Sequence, residues 1–150
     1  MEYFRDKYLK DKNDYKILDI GSRNVDPSIQ KDYRYIFQDK HRYYGMDIEP
    51  GHNVDIVGFD ELNKVGTFDV VISGQTLEHV KRPWDWLKMI SQFSDKWICI
   101  IAPHTFHEHR FPIDTYRYFP DGMRDLFEYA GIKEIEIIKN KIDTMGVGIK

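Results

Sequence analysis

The sequence predicts an α/β fold: a doubly wound, mostly parallel seven-stranded sheet with an antiparallel last strand, in a compact and minimal version. Three observations carry this reading. An apolar strand, Tyr15 to Ile20, stops on Gly21. A second strand, Tyr43 to Ile48, carries the carboxylate Asp47 near its end. A third stretch, Phe68-Asp-Val-Val-Ile-Ser73, is almost continuously apolar, as in a strand buried on both faces of a parallel sheet. In open sheets of this class, ligands bind beyond the carboxyl ends of the strands. A glycine there lets a ligand approach the backbone, and a carboxylate at the tip of the next strand is placed to take a pair of ribose hydroxyls. The pattern is a nucleoside-binding half-site.

The elements follow in order. Residues 2–13 place Tyr3, Phe4, Tyr8 and Leu9 at roughly helical spacing, which predicts a leading amphipathic helix. Tyr15 to Ile20 is the first strand. Pro27 or Ser28 then opens a helix carrying Ile29, Tyr33, Ile36 and Phe37. Tyr43 to Ile48 is the second strand, closed by Pro50-Gly51. Val54 to Val57 is a short third strand, followed by an acidic turn at Asp60-Glu61. From Asp60 to Phe68 there is no room for a full helix, so one sheet face should be thinly covered. Phe68 to Ser73 is the fourth strand. Trp84 to Phe93 reads as a helix with Trp84, Leu87 and Ile90 inward, and Trp97 to Ala102 as the fifth strand, stopped by Pro103. His104 to Phe119 is a loop. Pro120 to Tyr129 is a helix with proline at its start and Gly131 as its stop. Glu134 to Ile138 and Met145 to Ile149 are two final strands, antiparallel to one another. The alternation of strands and helices implies right-handed crossovers.

Composition bounds the rest. At 150 residues the chain reads as one domain, 1–150, around a single core. Hydrophobic residues at 41% and charged residues at 31% fit a soluble globular protein rather than a disordered one. Ten tyrosines suit a ring-rich cleft or interface, with Tyr33, Tyr35 and Tyr118 as candidate homodimer contacts. The net charge of -3 offers no electrostatic case for nucleic acid. The longest apolar run, Trp97 to Pro103, is too short to span a bilayer, so no membrane partner is expected. A single cysteine, Cys99, excludes an internal disulfide. With a charged Met1 to Asp14 that lacks a signal-type apolar stretch, it points to a cytoplasmic setting.

Four segments at the predicted strand ends resemble, in order and spacing, the motifs of class I S-adenosylmethionine-dependent methyltransferases, particularly the small-molecule type 11 branch. The resemblance implies a Rossmann-like fold, S-adenosylmethionine as cofactor, and in-line methyl transfer. Tyr15 to Ser22 is similar to the first motif, whose glycine loop holds the methionine end; this implies cofactor contacts from Gly21 and Ser22, and from Asp19 toward the ammonium. Tyr44-Gly-Met-Asp-Ile-Glu49 resembles the second, with Asp47 on both ribose hydroxyls and Ile48 in the cofactor set. Val54 to Asp60 resembles the third, with Asp60 on the adenine amino group and Asp55 and Glu61 competing for that role. Phe68 to Ser73, followed by Thr76-Leu-Glu-His-Val80, resembles the fourth and adds Ser73. The likeness continues through Pro103, Pro112, Asp114, Tyr116 and Arg117.

One departure concerns the glycine loop. The family often has Gly-x-Gly-x-Gly, whereas Gly21-Ser-Arg-Asn-Val25 keeps only the first glycine. Arg23, standing in a later place, has two roles open to it: the cofactor carboxylate or solvent.

Catalytic candidates lie further along. His79 follows the fourth strand, where family members place the methyl group, and reads as an acid/base or substrate contact, with simple packing as the alternative. His104, His107 and His109, with Asp114 beyond, form a donor set that suits zinc. The run nevertheless sits in a proline-bounded loop and resembles a metal-free family pattern, so no metal is expected. The loop reads instead as a substrate-facing lid. His107 and Asp114 join His79 as catalytic candidates, and His109, Tyr116 and Arg117 are substrate-binding candidates. Asp114 and Arg117 have an equal alternative, pairing with each other to pin the loop.

The expected acceptor is a small molecule or glycan-like. A non-catalytic S-adenosylmethionine- or S-adenosylhomocysteine-binding module is the second reading, supported by the degenerate loop. A nicotinamide-dependent oxidoreductase ranks last, because the three-glycine pattern and a separate substrate domain are both missing.

Overall fold

The computed structural model describes residues 1–26, 28 and 32–150. The elements are α1 (Glu2–Tyr8), β1 (Lys16–Ile20), α2 (Tyr33–Phe37), β2 (Arg42–Asp47), β3 (Ile56–Val57) and α3 (Gly58–Val65). They continue with β4 (Phe68–Gly74), a single turn Leu77–His79, α4 (Pro83–Ser91), β5 (Ser94–Pro103), α5 (Pro120–Tyr129), β6 (Lys133–Lys139) and β7 (Asp143–Ile149). One seven-stranded sheet runs in the order β3-β2-β1-β4-β5-β7-β6. Strands β3 to β5 pair in parallel, while β7 runs antiparallel to both β5 and β6. The strand order turns back between β1 and β4, which makes their carboxyl ends the natural place for a ligand.

Alternation along the strands divides the core in two. Leu18 and Ile20 of β1 face α3, α4 and α5 with Leu62, Val71, Leu87, Ile98 and Phe127. Ile17 faces the other way, with Phe4, Phe37, Val70, Ile72 and Val147 under α1 and α2. Asp19 shares that second face and is buried there. Cys99, buried on β5, has its thiol pushed up to about 12 by the apolar surroundings, which makes it a packing residue rather than a nucleophile.

Several expectations are corrected. The segment after β3 holds a two-turn helix, because α3 starts at Gly58, ahead of the acidic pair, and Glu61 Oε2 accepts the Val57 N–H at 3.0 Å. The sheet face is therefore covered there, with Leu62 fully buried. Trp84 faces outward and is 39% exposed; Leu87 and Ile90 fill the core, and Trp86 packs against it instead. Tyr118 is buried, its hydroxyl donating to the Leu77 carbonyl at 3.0 Å, so it offers no dimer surface. Tyr33 is half-buried, and Tyr35 stays exposed. The expected helix start at Pro27 and the placing of Ile29 lie outside the described residues.

Candidate active site

Two clusters of polar side chains form at the carboxyl end of the sheet. The first surrounds Gly21. This glycine has φ +79, and a Cβ added to it would lie 2.2 Å from Thr76 Oγ1. Its N–H donates to the Met46 carbonyl at 2.8 Å, and the Ser22 N–H to the same oxygen at 3.0 Å. The glycine is thus required by close packing of the β1 loop on the segment after β4.

Ser22 is buried, and its hydroxyl donates to the Asn53 carbonyl at 3.0 Å. Ser73 is likewise turned inward, donating to the Ile20 carbonyl at 2.6 Å. Both hydroxyls tie backbone segments together. Asp47, at the tip of β2, accepts the Arg23 N–H and the Glu49 N–H, each at 3.2 Å, through different oxygens. A carboxylate has about four acceptor positions, so two remain for further donors. Ile48 beside it is 69% exposed, an apolar side chain with no core to fill. The Arg23 guanidinium pairs with Glu49 at 2.8 Å, joining the loops after β1 and β2. Asp60 is exposed on the first turn of α3. Asp55 is engaged elsewhere, accepting the Gly45 N–H at 2.7 Å and an Arg34 ion pair.

Asp19 lies beneath this loop and accepts the Tyr43 hydroxyl. Asn53, which the sequence reading passed over, links the network: its amide donates to the Tyr43 hydroxyl at 3.1 Å and to the Ser22 carbonyl at 3.0 Å, while Arg34 Nε donates to its Oδ1 at 2.8 Å. An asparagine just after Pro50-Gly51 was the available signal, since asparagine is enriched in left-handed turns, and its φ here is 70. Burial pushes the Asp19 carboxyl up to about 7, against the Tyr43 hydrogen bond, which favours the charged form. The folded chain therefore keeps a proton that the unfolded chain releases near pH ~4. Stability should fall as pH rises from there through about 7 and level off above it. Asp19→Asn should reduce that slope in melting temperature against pH; a slope identical to wild type would assign the proton elsewhere.

The second cluster joins the turn after β4 to the loop 104–119. The Thr115 N–H donates to the Glu78 carbonyl at 2.7 Å, and His79 Nδ1 meets the Ile113 carbonyl at 2.5 Å. His109 packs edge-on against His79 with ring centroids 4.9 Å apart, and Phe106 and Phe111, 45% and 55% exposed, flank His109. Glu78 is fully buried, and neither carboxylate oxygen has a hydrogen-bond partner among the described residues. Burial pushes its carboxyl up to about 7, against its own N–H, which eases the charge without reaching hydrogen-bond geometry. The sequence reading gave it no role.

Asp114 is the pin of the loop 104–119. Arg117 grips it through both guanidinium ends at 2.5 and 2.7 Å, the His109 N–H donates to it at 2.7 Å, and Arg117 also reaches the Phe106 and His107 carbonyls. The Arg117 hydrogen bonds hold its carboxyl well below the usual carboxylate range, which makes it a poor proton acceptor. The pairing alternative is the one the geometry favours for both residues. Arg117→Lys, which keeps the charge but loses the bidentate fork, should raise amide exchange across 105–117 by roughly tenfold while leaving β5 and α5 unchanged; equal protection in the variant would remove the pin. His107 points to solvent over Phe106, and Tyr116 packs edge-on over Trp84, away from the histidine pair. His104 is buried, held by Thr105 and the Asn140 carbonyl, so the three histidines of this loop do not converge.

Comparison with known structures bears on this arrangement. The chain matches magnesium protoporphyrin IX methyltransferase from Synechocystis PCC 6803 with bound S-adenosylmethionine at TM-score 0.62 and 15% identity, covering 97% of this chain and 73% of that one. The fold is that of the S-adenosylmethionine-dependent methyltransferases. A second such methyltransferase, from Aquifex aeolicus, matches at TM-score 0.62 and 15% identity over 96% and 88% of the two chains. The N-terminal domain of EvdMO1 with S-adenosylhomocysteine bound matches at 0.62 and 16% over 98% and 77%, and has also been crystallised in the presence of D-fucose. No protein-family model and no curated protein sequence matches the chain significantly. In this fold, β1, β2 and their loops form one side of the sheet's carboxyl end, and the turn after β4 with the loop 104–119 forms the other. Among the described residues, no helix is long and apolar enough to cross a membrane.

Proposed function

We propose that this chain binds S-adenosylmethionine at the β1–β2 end and transfers its methyl group to a small-molecule or glycan-like acceptor. The observation that carries the proposal is Asp47: a strand-tip carboxylate with acceptor positions to spare, next to the exposed Ile48 and the sterically constrained Gly21 loop. These residues fit the cofactor. Asp47 takes the ribose hydroxyls, Ile48 covers the adenine face, Asp60 is the acidic group nearest to the adenine role, and Asp19 lies below for the methionine ammonium. Ser22 and Ser73 shape the loop rather than contact the ligand. Once bound, the cofactor supplies a methyl carbon already made electrophilic by its sulfonium.

The chain's own work is positioning and proton handling. A hydroxyl acceptor loses its proton as its oxygen bonds the methyl carbon and the carbon–sulfur electron pair returns to sulfur. His79 suits the proton. Its Nδ1–H is oriented by the Ile113 carbonyl, leaving Nε2 as an acceptor on the cluster side. The exposed Phe111 ring beside it and the Phe106 ring beside His109 suit the apolar face of a sugar-like or ring-shaped acceptor. His107 and Tyr116, set apart from the histidine pair, are left to outer contacts.

The test pairs binding with turnover. S-adenosylmethionine carrying a labelled methyl, incubated with a metabolite extract, should deliver label to a discrete product. His79→Ala should cut that transfer by at least ~10²-fold with cofactor affinity retained. Clear cofactor binding without label in any product would favour the non-catalytic binding module, the reading supported by Arg23 and Val25 standing where the family often has glycines. Against a nicotinamide enzyme stands the inserted antiparallel β7, which the parallel dinucleotide-binding order does not contain.

A further inference from the structure

The buried carboxylate of Glu78 poses a problem that its neighbours sharpen. Buried charges are paired, hydrogen-bonded or bound to metal, yet the nearest cation-forming groups are His79 and His109, whose Nε2 atoms lie 3.8 and 3.9 Å from Glu78 Oε1. Those separations exceed hydrogen-bond length. Arg117 is taken up by Asp114. Both imidazoles are oriented from behind: His79 Nδ1 by the Ile113 carbonyl at 2.5 Å, and His109 Nδ1 by the His107 carbonyl at 3.2 Å, with Asp114 Oδ2 at 3.5 Å. In that tautomer, with hydrogen on each Nδ1, both Nε2 lone pairs point into the same space as the unpartnered carboxylate. Three electron-rich atoms converge with nothing positive among them.

We infer that Glu78, His79 and His109 form a binding site for a divalent transition-metal ion of the zinc class. The three ligand atoms all lie within 4.8 Å of one another. In a tetrahedral zinc site, ligand atoms stand roughly 3.3 Å apart, so side-chain rotations of about an ångström close the set. Two histidines and one glutamate, with positions left open, is a donor set used by catalytic zinc and other first-row ions. The backbone carbonyls and Asp114 behind the imidazoles are the outer partners that fix ligand tautomers in such sites. These are not the three lid histidines of the sequence pattern, since His104 and His107 face elsewhere. The site rests on these side chains and not on the methyl-transfer reading. As a ligand, His79 would cede the proton-accepting role, and the ion's open positions would instead polarise an acceptor hydroxyl.

The experiment reads metal binding with no acceptor present. Metal-stripped protein is titrated with Zn²⁺ by calorimetry and with Co²⁺ by visible absorption. One ion per chain is expected, with Glu78→Gln and His109→Ala each weakening binding at least tenfold, and with His52→Ala, at a histidine 75% exposed in the loop after β2, unchanged as the control. Melting curves and S-adenosylmethionine titrations of each variant show whether it is folded, and separate this result from the fate of the cofactor reading. Should either variant not fold, imidazole ¹H–¹⁵N spectra of the wild-type chain decide: Zn²⁺ should shift the Nε2 signals of His79 and His109 and spare His104. No saturable uptake, undiminished affinity in the folded variants, or shifts confined to other histidines would overturn the site.

Discussion

Gly21→Ala should lower stability by about 2–5 kcal/mol and the melting temperature by roughly 5–20 °C. Two independent terms contribute. A side chain at φ +79 must adopt the left-handed region, which costs about 1–2 kcal/mol. The new Cβ would also lie 2.2, 2.6 and 2.9 Å from three atoms of Thr76, and overpacking of that kind costs about 1–3 kcal/mol. The terms can be separated, because every one of those atoms belongs to the Thr76 side chain. Gly21→Ala with Thr76→Gly should recover the packing part and leave the backbone part. A double variant no more stable than Gly21→Ala alone would place the strain elsewhere. The same contact ties the loop after β1 to the turn bearing Glu78 and His79, so under the proposed function Gly21→Ala should weaken cofactor binding as well.

Asp47→Ala should leave the fold intact and weaken S-adenosylmethionine binding by roughly 10² to 10⁴. The figure follows from two hydroxyl-to-carboxylate hydrogen bonds worth about 1.5–3 kcal/mol each. Asp47 sits at a strand end, half-buried, and gives up only two long backbone contacts of 3.2 Å, so melting should change little. Asp47→Asn keeps one acceptor oxygen and should fall between the two. An alanine variant with wild-type affinity would remove Asp47 from the ribose and, with it, the observation on which the proposed function rests.

What could be read in advance was local. The strand that stops on Gly21, the carboxylate at the tip of the next, and the antiparallel final pair are visible as alternation, composition and punctuation. The α3 helix was not, because it begins on a glycine of φ +78 and is capped by Glu61, both set by the path of the chain. Ser22 and Ser73 stand in the cofactor set through the resemblance of the first and fourth motifs alone. Their donors instead found the Asn53 and Ile20 carbonyls, partners distant in sequence. The same reason hid the Glu78 cluster: Glu78 and His79 are adjacent, but His109 arrives only when Thr115 docks the loop 104–119 on the turn. Asp114 and Arg117, three residues apart, could be proposed as a pair from spacing alone, and pair they do.

The central claim is that the β1–β2 end holds S-adenosylmethionine, and calorimetric titration of the wild-type chain tests it most directly. The expected result is saturable binding at one site per chain, shared by S-adenosylhomocysteine and absent with NAD. No saturable heat up to about 1 mM ligand, from a protein whose melting curve shows it folded, would contradict it.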